Sequence, residues 1–244
     1  MKKLSFLIAT ATLVLWGCHD NTDQTEAIFE TTELKSNNSA FTTFTVRIEN
    51  IGTDEYGYPI VFAPGIFAVQ KKSSMPLFAP GAPDFGEGLE AIAEDGNPGP
   101  LDEALRNHPK VRSHGTFAVP AGADQPGPLL SGQSYEFTFT AKNKDYLNFA
   151  TMFVQSNDLF IAPGANGISL FEGNKEPIEG DITGYLYLWD AGTEVNEEPG
   201  VGPNQAPRQS GPDTGVDENG VVQIVNDGFT YPDLTKMIRV TISH

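Results

Sequence analysis

Glycine and proline interrupt this chain so often that no long regular element can run through most of it, with 25 glycines and 18 prolines over 244 residues. Glycine costs backbone entropy inside a helix or strand, and proline fixes φ and removes a hydrogen-bond donor, so both collect in turns. Between them lie short apolar segments. Phe44-Thr45-Val46-Arg47-Ile48-Glu49 alternates apolar with polar residues, the period of a half-buried strand. Tyr135-Glu136-Phe137-Thr138-Phe139-Thr140 alternates in the same way after the turn residues Ser131-Gly132-Gln133. The run Leu147 to Gln155 is apolar over a longer stretch and predicts a central strand. Ile60 to Gln70, broken by Pro64-Gly65, predicts another strand, as do Ile168 to Phe171, Tyr185 to Trp189 and Met237 to Ser243. Short strands joined by Gly/Pro turns point to an all-β sandwich or barrel.

Residues 87–107 alone depart from this pattern. Leu89, Ala91, Ile92 and Ala93, then Leu101, Ala104 and Leu105, have helical spacing and predict one or two short helices within a long connection. His108 and His114 follow in a Pro-rich connection and read as surface residues. From Pro199 to Gly215, eight of seventeen residues are Gly or Pro, which excludes a strand or helix there. A loop of that length is functional or disordered. No internal repeat or second boundary is visible, so residues 42–244 read as one domain.

The N-terminus is of another kind. Lys2 and Lys3 precede an uncharged stretch from Leu4 to Trp16. That stretch suits the apolar part of a signal peptide and is too short to span a bilayer, which takes about 20 residues. Leu15-Trp16-Gly17-Cys18 resembles a bacterial lipobox, in which the cysteine is acylated and becomes the mature N-terminus. Cys18 is the only cysteine, so the chain has no internal disulfide and no thiolate metal cluster. Residues 1–17 therefore read as a lipoprotein signal peptide, and 18–41 as an acidic flexible tether. The chain is expected to be exported and lipid-anchored to the bacterial outer membrane or cell surface.

With 32 acidic against 15 basic side chains, the formal charge is −17. That balance disfavours nucleic-acid binding through a basic patch and makes cations or basic partners the natural counterpart. Two acidic segments fall where apolar strands give way to loops: Gln155-Ser156-Asn157-Asp158 and Leu188-Trp189-Asp190-Ala191-Gly192-Thr193-Glu194. Strand ends cluster at the edges of a sandwich, and Gly192 permits the turn that brings Asp190 and Glu194 to one place. Calcium takes six to eight oxygen ligands in irregular geometry, so these carboxylates with loop carbonyls would suit it. Carboxylates at strand ends are equally the residues of solvated turns, and spacing alone leaves both readings open. Zinc would want His or Cys, and the four His are scattered at 19, 108, 114 and 244.

The segments ATMFVQSND (150–158) and LWDAGTEVNEEPGVGPNQAPRQ (188–209) resemble the spondin domain, an extracellular-matrix module of animals that also occurs as a stand-alone exported domain in bacteria. FTVRIEN, PIVFAPGIFAV, PLFAPGAP, GLEAIAEDGNP and GTFAVPAGADQPGPLLSGQSYEFTFTA resemble the bacterial form, so the likeness covers about residues 42–244. It implies an antiparallel eight-stranded β-sandwich, C2-like, with a calcium ion at one edge. The ligands it implies are Asp158, Asp190 and Glu194, with Asn157 or Asn196 as accessories. In this chain the last acid is Glu where the animal domain has Asp, and the disulfides of that domain are missing.

The expected function is a calcium-binding, surface-anchored recognition or adhesion domain, taken as a monomer, with an extracellular protein or glycan as partner. Trp189, Phe160, Tyr185 and Tyr187 lie near the expected edge and offer faces for a sugar, although aromatics at strand positions are mostly core. A structural envelope or matrix scaffold is the alternative. A glycan hydrolase using paired carboxylates is the third. No GxSxG, HExxH or phosphate-loop motif occurs, and the chain is expected not to be an enzyme.

Overall fold

A computed structural model describes residues 41–71, 74–173 and 175–244. The expected signal peptide (1–17), most of the expected tether (18–41) and the expected lipidation at Cys18 lie outside the described residues. Eight strands of five residues or more are present among them: β1 (Thr42–Asn50), β2 (Phe62–Lys71), β3 (Val111–Phe117), β4 (Ser134–Ala141), β5 (Asp145–Phe153), β6 (Leu159–Pro163), β11 (Leu186–Asp190) and β13 (Ile238–Ser243). Five two-residue strands complete the set: β7 (Ile168–Ser169), β8 (Phe171–Glu172), β9 (Glu176–Pro177), β10 (Gly180–Asp181) and β12 (Gln223–Ile224). The helices are α1 (Leu89–Asp95), α2 (Gly99–Leu105), the single turn α3 (Leu234–Met237) and a 3-10 turn at Thr183–Tyr185.

The strands form two principal antiparallel sheets, ordered β10-β13-β1-β4 and β12-β11-β6-β5-β2-β3, with β7 also pairing with β5 and a separate hairpin β8-β9. In the smaller sheet the alternation read from the sequence sets the register. Phe44 pairs with Phe139, Val46 with Phe137 and Ile48 with Tyr135, so six apolar side chains share one face. That face meets the larger sheet, where Phe67 of β2 stacks on Phe137 with ring centroids 4.6 Å apart and Phe117 of β3 stacks on the same ring at 5.1 Å.

The larger sheet is covered on both faces, which explains the near-continuous apolar run of β5. Its second face carries Ile66, Ala68, Ala150, Phe160 and Trp189 against Leu89 and Ile92 of α1, Leu101 and Leu105 of α2, and Leu77 and Phe78. The two helices are therefore the lid of a second core. Pro64-Gly65 does not end β2 but shifts its register against β5. A Cβ at Gly65 would stand 2.2 Å from the Ala150 carbonyl oxygen, so only glycine fits between these strands.

Two of the longer strands were not evident from the sequence, nor were the two-residue strands β9, β10 and β12. β3 mixes Arg112, Ser113, His114 and Gly115 and is half-exposed along most of its length, with no alternation to betray it. His114 therefore sits in a strand, its Nδ1 2.8 Å from the Asp102 carboxylate, and not in a loop. β6 follows so closely on β5 that the two read as one apolar stretch and its aftermath.

Candidate metal centre

Strand pairing brings the two acidic segments together. Ser156 makes the turn between β5 and β6, donating its hydroxyl to the Phe153 carbonyl at 2.6 Å and accepting from the Leu159 amide at 3.1 Å. Asp158 is left at the entrance to β6. Asp190 ends β11 and pairs with Leu159, and the Ala191 amide donates to the Asp158 carbonyl at 3.2 Å. The two carboxylates thus meet where β6 begins and β11 ends, 0% and 2% exposed.

After Asp190 the chain folds back on itself. Gly192 has φ +68°, and a Cβ there would lie 2.6 Å from the Val221 nitrogen, so glycine is required on both counts. The Gly192 amide donates to Asp190 Oδ1 at 2.7 Å, and the Thr193 and Glu194 amides donate to Asp158 Oδ2 at 3.2 and 3.3 Å. The returning segment pairs with this loop: Val195 donates to Val216, Glu218 to Thr193 and Gly220 to Gly192, all at 2.7–2.8 Å. That ladder delivers Glu218 to the site. Asp158, Asp190 and Glu218 each place a carboxylate oxygen within 4.8 Å of the other two.

The resemblance implies Glu194 as the third acid, and the structure groups Glu218 with Asp158 and Asp190 instead. The Glu194 carboxylate accepts from the Gly215 amide at 2.6 Å and from Asn157 Nδ2 at 3.1 Å. It ties the Gly/Pro-rich loop to the strand-end turn, while its amide serves Asp158. Asn157 is likewise fully engaged, donating also to the Val195 carbonyl at 2.9 Å and accepting from the Glu197 amide at 3.1 Å. Asn196 differs. Its Nδ2 donates to Asp190 Oδ2 at 3.0 Å, and its Oδ1 is buried without a partner.

Asp158 Oδ1 is also buried without a partner. Two orphaned oxygen acceptors beside two buried carboxylates are costly with nothing to neutralise them, and a cation removes that cost. The donor set is entirely oxygen and can hold a metal ion. Glu218 is exposed, which leaves the group open to solvent on one side.

The electrostatics reflect the crowding. Burial pushes the Asp158 carboxyl far above the usual carboxylate range, and the Asp190 and Glu218 charges add to it against the opposing pull of the Glu194 and Thr193 amides. Burial, then the Asp190 charge, raises Glu218 as well. Glu94 of α1, close by, is pushed up to about 8, chiefly by burial, with Glu194 adding. A carboxyl with a raised folded pKa binds more protons folded than unfolded between its two values, so its contribution to stability is lost as pH rises through that window. In calcium-free buffer the melting temperature is therefore expected to fall between about pH 4.5 and about pH 8, and Glu94→Gln to flatten part of the fall. Thermal melts across that range check this; a melting temperature level or rising with pH would show ordinary titration.

The Pro199–Gly215 loop has no strand, but side chains hold it. Gln205 is 0% exposed and donates to the Glu198 carbonyl at 2.7 Å. Arg208 donates to the Gly202 carbonyl at 2.7 Å, and the Gly200 amide to the Gln155 carbonyl at 3.1 Å. Of the aromatic residues considered for sugar contact, Phe160 and Trp189 belong to the second core, where Trp189 packs on Phe78 at 4.8 Å. Tyr185 and Tyr187 are exposed.

Scanned against protein-family models and against curated proteins, the chain matches none.

Proposed function

We propose that this chain is a calcium-binding recognition or adhesion domain of the spondin type, exported and held at the bacterial outer membrane or cell surface by acylation of Cys18. The observation that carries the calcium assignment is the buried Asp158–Asp190 pair with the unpartnered Asp158 Oδ1 and Asn196 Oδ1 beside it. The resemblance of the SND and WDAGTE segments to the spondin domain falls on these same strand ends. The two facing antiparallel sheets support a β-sandwich, the coarser part of that reading.

Asp158, Asp190 and Glu218 would supply carboxylate oxygens to the ion, with the Asn196 side-chain oxygen and water filling its shell. The ion would offset the like charges at the end of β6 and β11 and stiffen the loop from Gly192 to Asn196. That loop, with exposed Val195 and Val216 beside it, would be the face offered to an extracellular protein or glycan. At −17, contact with an anionic surface would need calcium between the two.

The test is retention of the labelled chain on immobilised matrix proteins and glycans, in calcium and in EDTA. Retention that needs calcium and disappears in Asp190→Ala supports recognition. A calcium-induced thermal shift without retention on any surface would replace it with the structural scaffold. The absence of both shift and retention would overturn the calcium assignment.

A further inference from the structure

A second group of carboxylates lies on the far side of Thr193. Glu90 and Glu94 are four residues apart on α1 and so share a face. Asp213 reaches them from the Gly/Pro-rich loop, where its backbone adopts φ +51°. Each of the three places a carboxylate oxygen within 4.8 Å of the other two.

The group has a feature that surface acids lack. Glu94 is 2% exposed, yet it lines the cleft between α1 and the Gly192–Thr193 loop, and its Oε2 has no hydrogen-bond partner. Asp84 Oδ1 and Thr193 Oγ1, which belong to residues lining the same cleft, are also buried without partners. Among the described residues, no basic side chain lines this cleft of about 470 Å³. A buried carboxylate without a counter-charge is expensive even with the Thr193 hydroxyl pulling the other way, and several unpartnered acceptors around one space call for one positive occupant.

We propose that Glu90, Glu94 and Asp213 form a second site for an oxygen-seeking divalent cation of the calcium class, separate from the Asp158–Asp190–Glu218 group. The donors are all hard oxygens, with the Thr193 hydroxyl and water available to raise the ligand number. The ion would pin α1 to the loop that follows the WDAGTE strand end. Thr193 lies between the two sites: its amide holds Asp158 and its side chain lines the second cleft. Filling either site would therefore order a loop that the other uses. The proposal does not depend on the first site binding calcium.

The test is calcium stoichiometry by isothermal titration on the purified full chain, for the unchanged protein, Glu94→Gln, Asp213→Asn and Asp190→Asn. The expected result is two equivalents for the unchanged protein and one for each variant. Glu94→Gln and Asp213→Asn should keep the equivalent that Asp190→Asn loses. Circular dichroism in EDTA reports folding, and Asp213→Asn, an exposed loop change, guards against a folding failure of Glu94→Gln. A single equivalent lost in Glu94→Gln and Asp213→Asn but kept in Asp190→Asn supports this site and overturns the other. A single equivalent kept in Glu94→Gln and Asp213→Asn overturns this one, as does no binding in the unchanged protein.

Discussion

Asp158→Asn is expected to raise the melting temperature in EDTA and to abolish the rise that calcium gives the unchanged protein. Asp158 is a wholly buried carboxylate facing the Asp190 charge, and one of its oxygens has no partner. Asparagine keeps an oxygen for the Thr193 and Glu194 amides, places an amide group where the orphan oxygen stood, and removes the like-charge repulsion. The metal-free protein should gain stability for that reason. With calcium the order reverses, because a ligand that binds only the folded state adds about 2.7 kcal/mol at 100 times its Kd. For a domain of this size that is a rise of roughly 5–10 °C, which the variant would forgo. Calorimetry of both proteins, in EDTA and in calcium, reads the crossover. A variant that melts lower than the unchanged protein in EDTA and still rises with calcium would make Asp158 a structural acceptor only.

Phe137→Ala is expected to cost about 3–5 kcal/mol, the usual range for emptying a buried aromatic position. The ring belongs to the smaller sheet and stacks on Phe67 and Phe117 of the larger one at 4.6 and 5.1 Å, with interplanar angles of 7° and 12°. Its removal opens a void between the sheets that the paired strands on either side cannot close without breaking register. The melting temperature should fall by roughly 6–20 °C. The calcium-induced rise should survive, since the candidate site lies at the end of β6 and β11 in the larger sheet and Phe137 belongs to β4 of the smaller one. A loss below about 1 kcal/mol in urea unfolding would show that neighbouring side chains fill the space. Loss of the calcium response with the fold intact would show coupling between core and edge.

The fold was legible where side-chain period and local geometry agree. β1 and β4 announce themselves by strict alternation, because one face meets the core and the other water. β5 reads as an apolar run because a sheet faces it on one side and α1 and α2 cover the other. β3 was illegible for the opposite reason. As a half-exposed strand at the end of its sheet it tolerates Arg112, His114 and Gly115, and only its pairing with β2 makes it a strand.

The same contrast runs through the site. Asp158 and Asp190 were visible because each adjoins an apolar strand, and Gly192 marked the turn between Asp190 and Glu194. Glu218 carried no such mark. It follows a Gly/Pro-rich loop, in a stretch of Asp217-Glu218-Asn219-Gly220 that fits no metal-loop spacing. It reaches the site only through backbone bonds between residues 192–195 and 216–220, which involve no particular side chain. Glu194 came from the likeness of WDAGTE to the spondin domain, and the Gly215 amide and Asn157 claim its carboxylate.

By itself, then, the order of amino acids determined local conformation: which alternating or long apolar segments are strands, where the chain must turn, and that acids collect where strands end. These follow from the two-residue period of a strand and from the backbone freedom of glycine and restraint of proline, which act within a few residues. Only the tertiary structure decided which acids share a site. Burial and hydrogen-bond competition are settled between segments far apart in the chain, so Glu218 joins Asp158 and Asp190, and Asp213 joins Glu90 and Glu94.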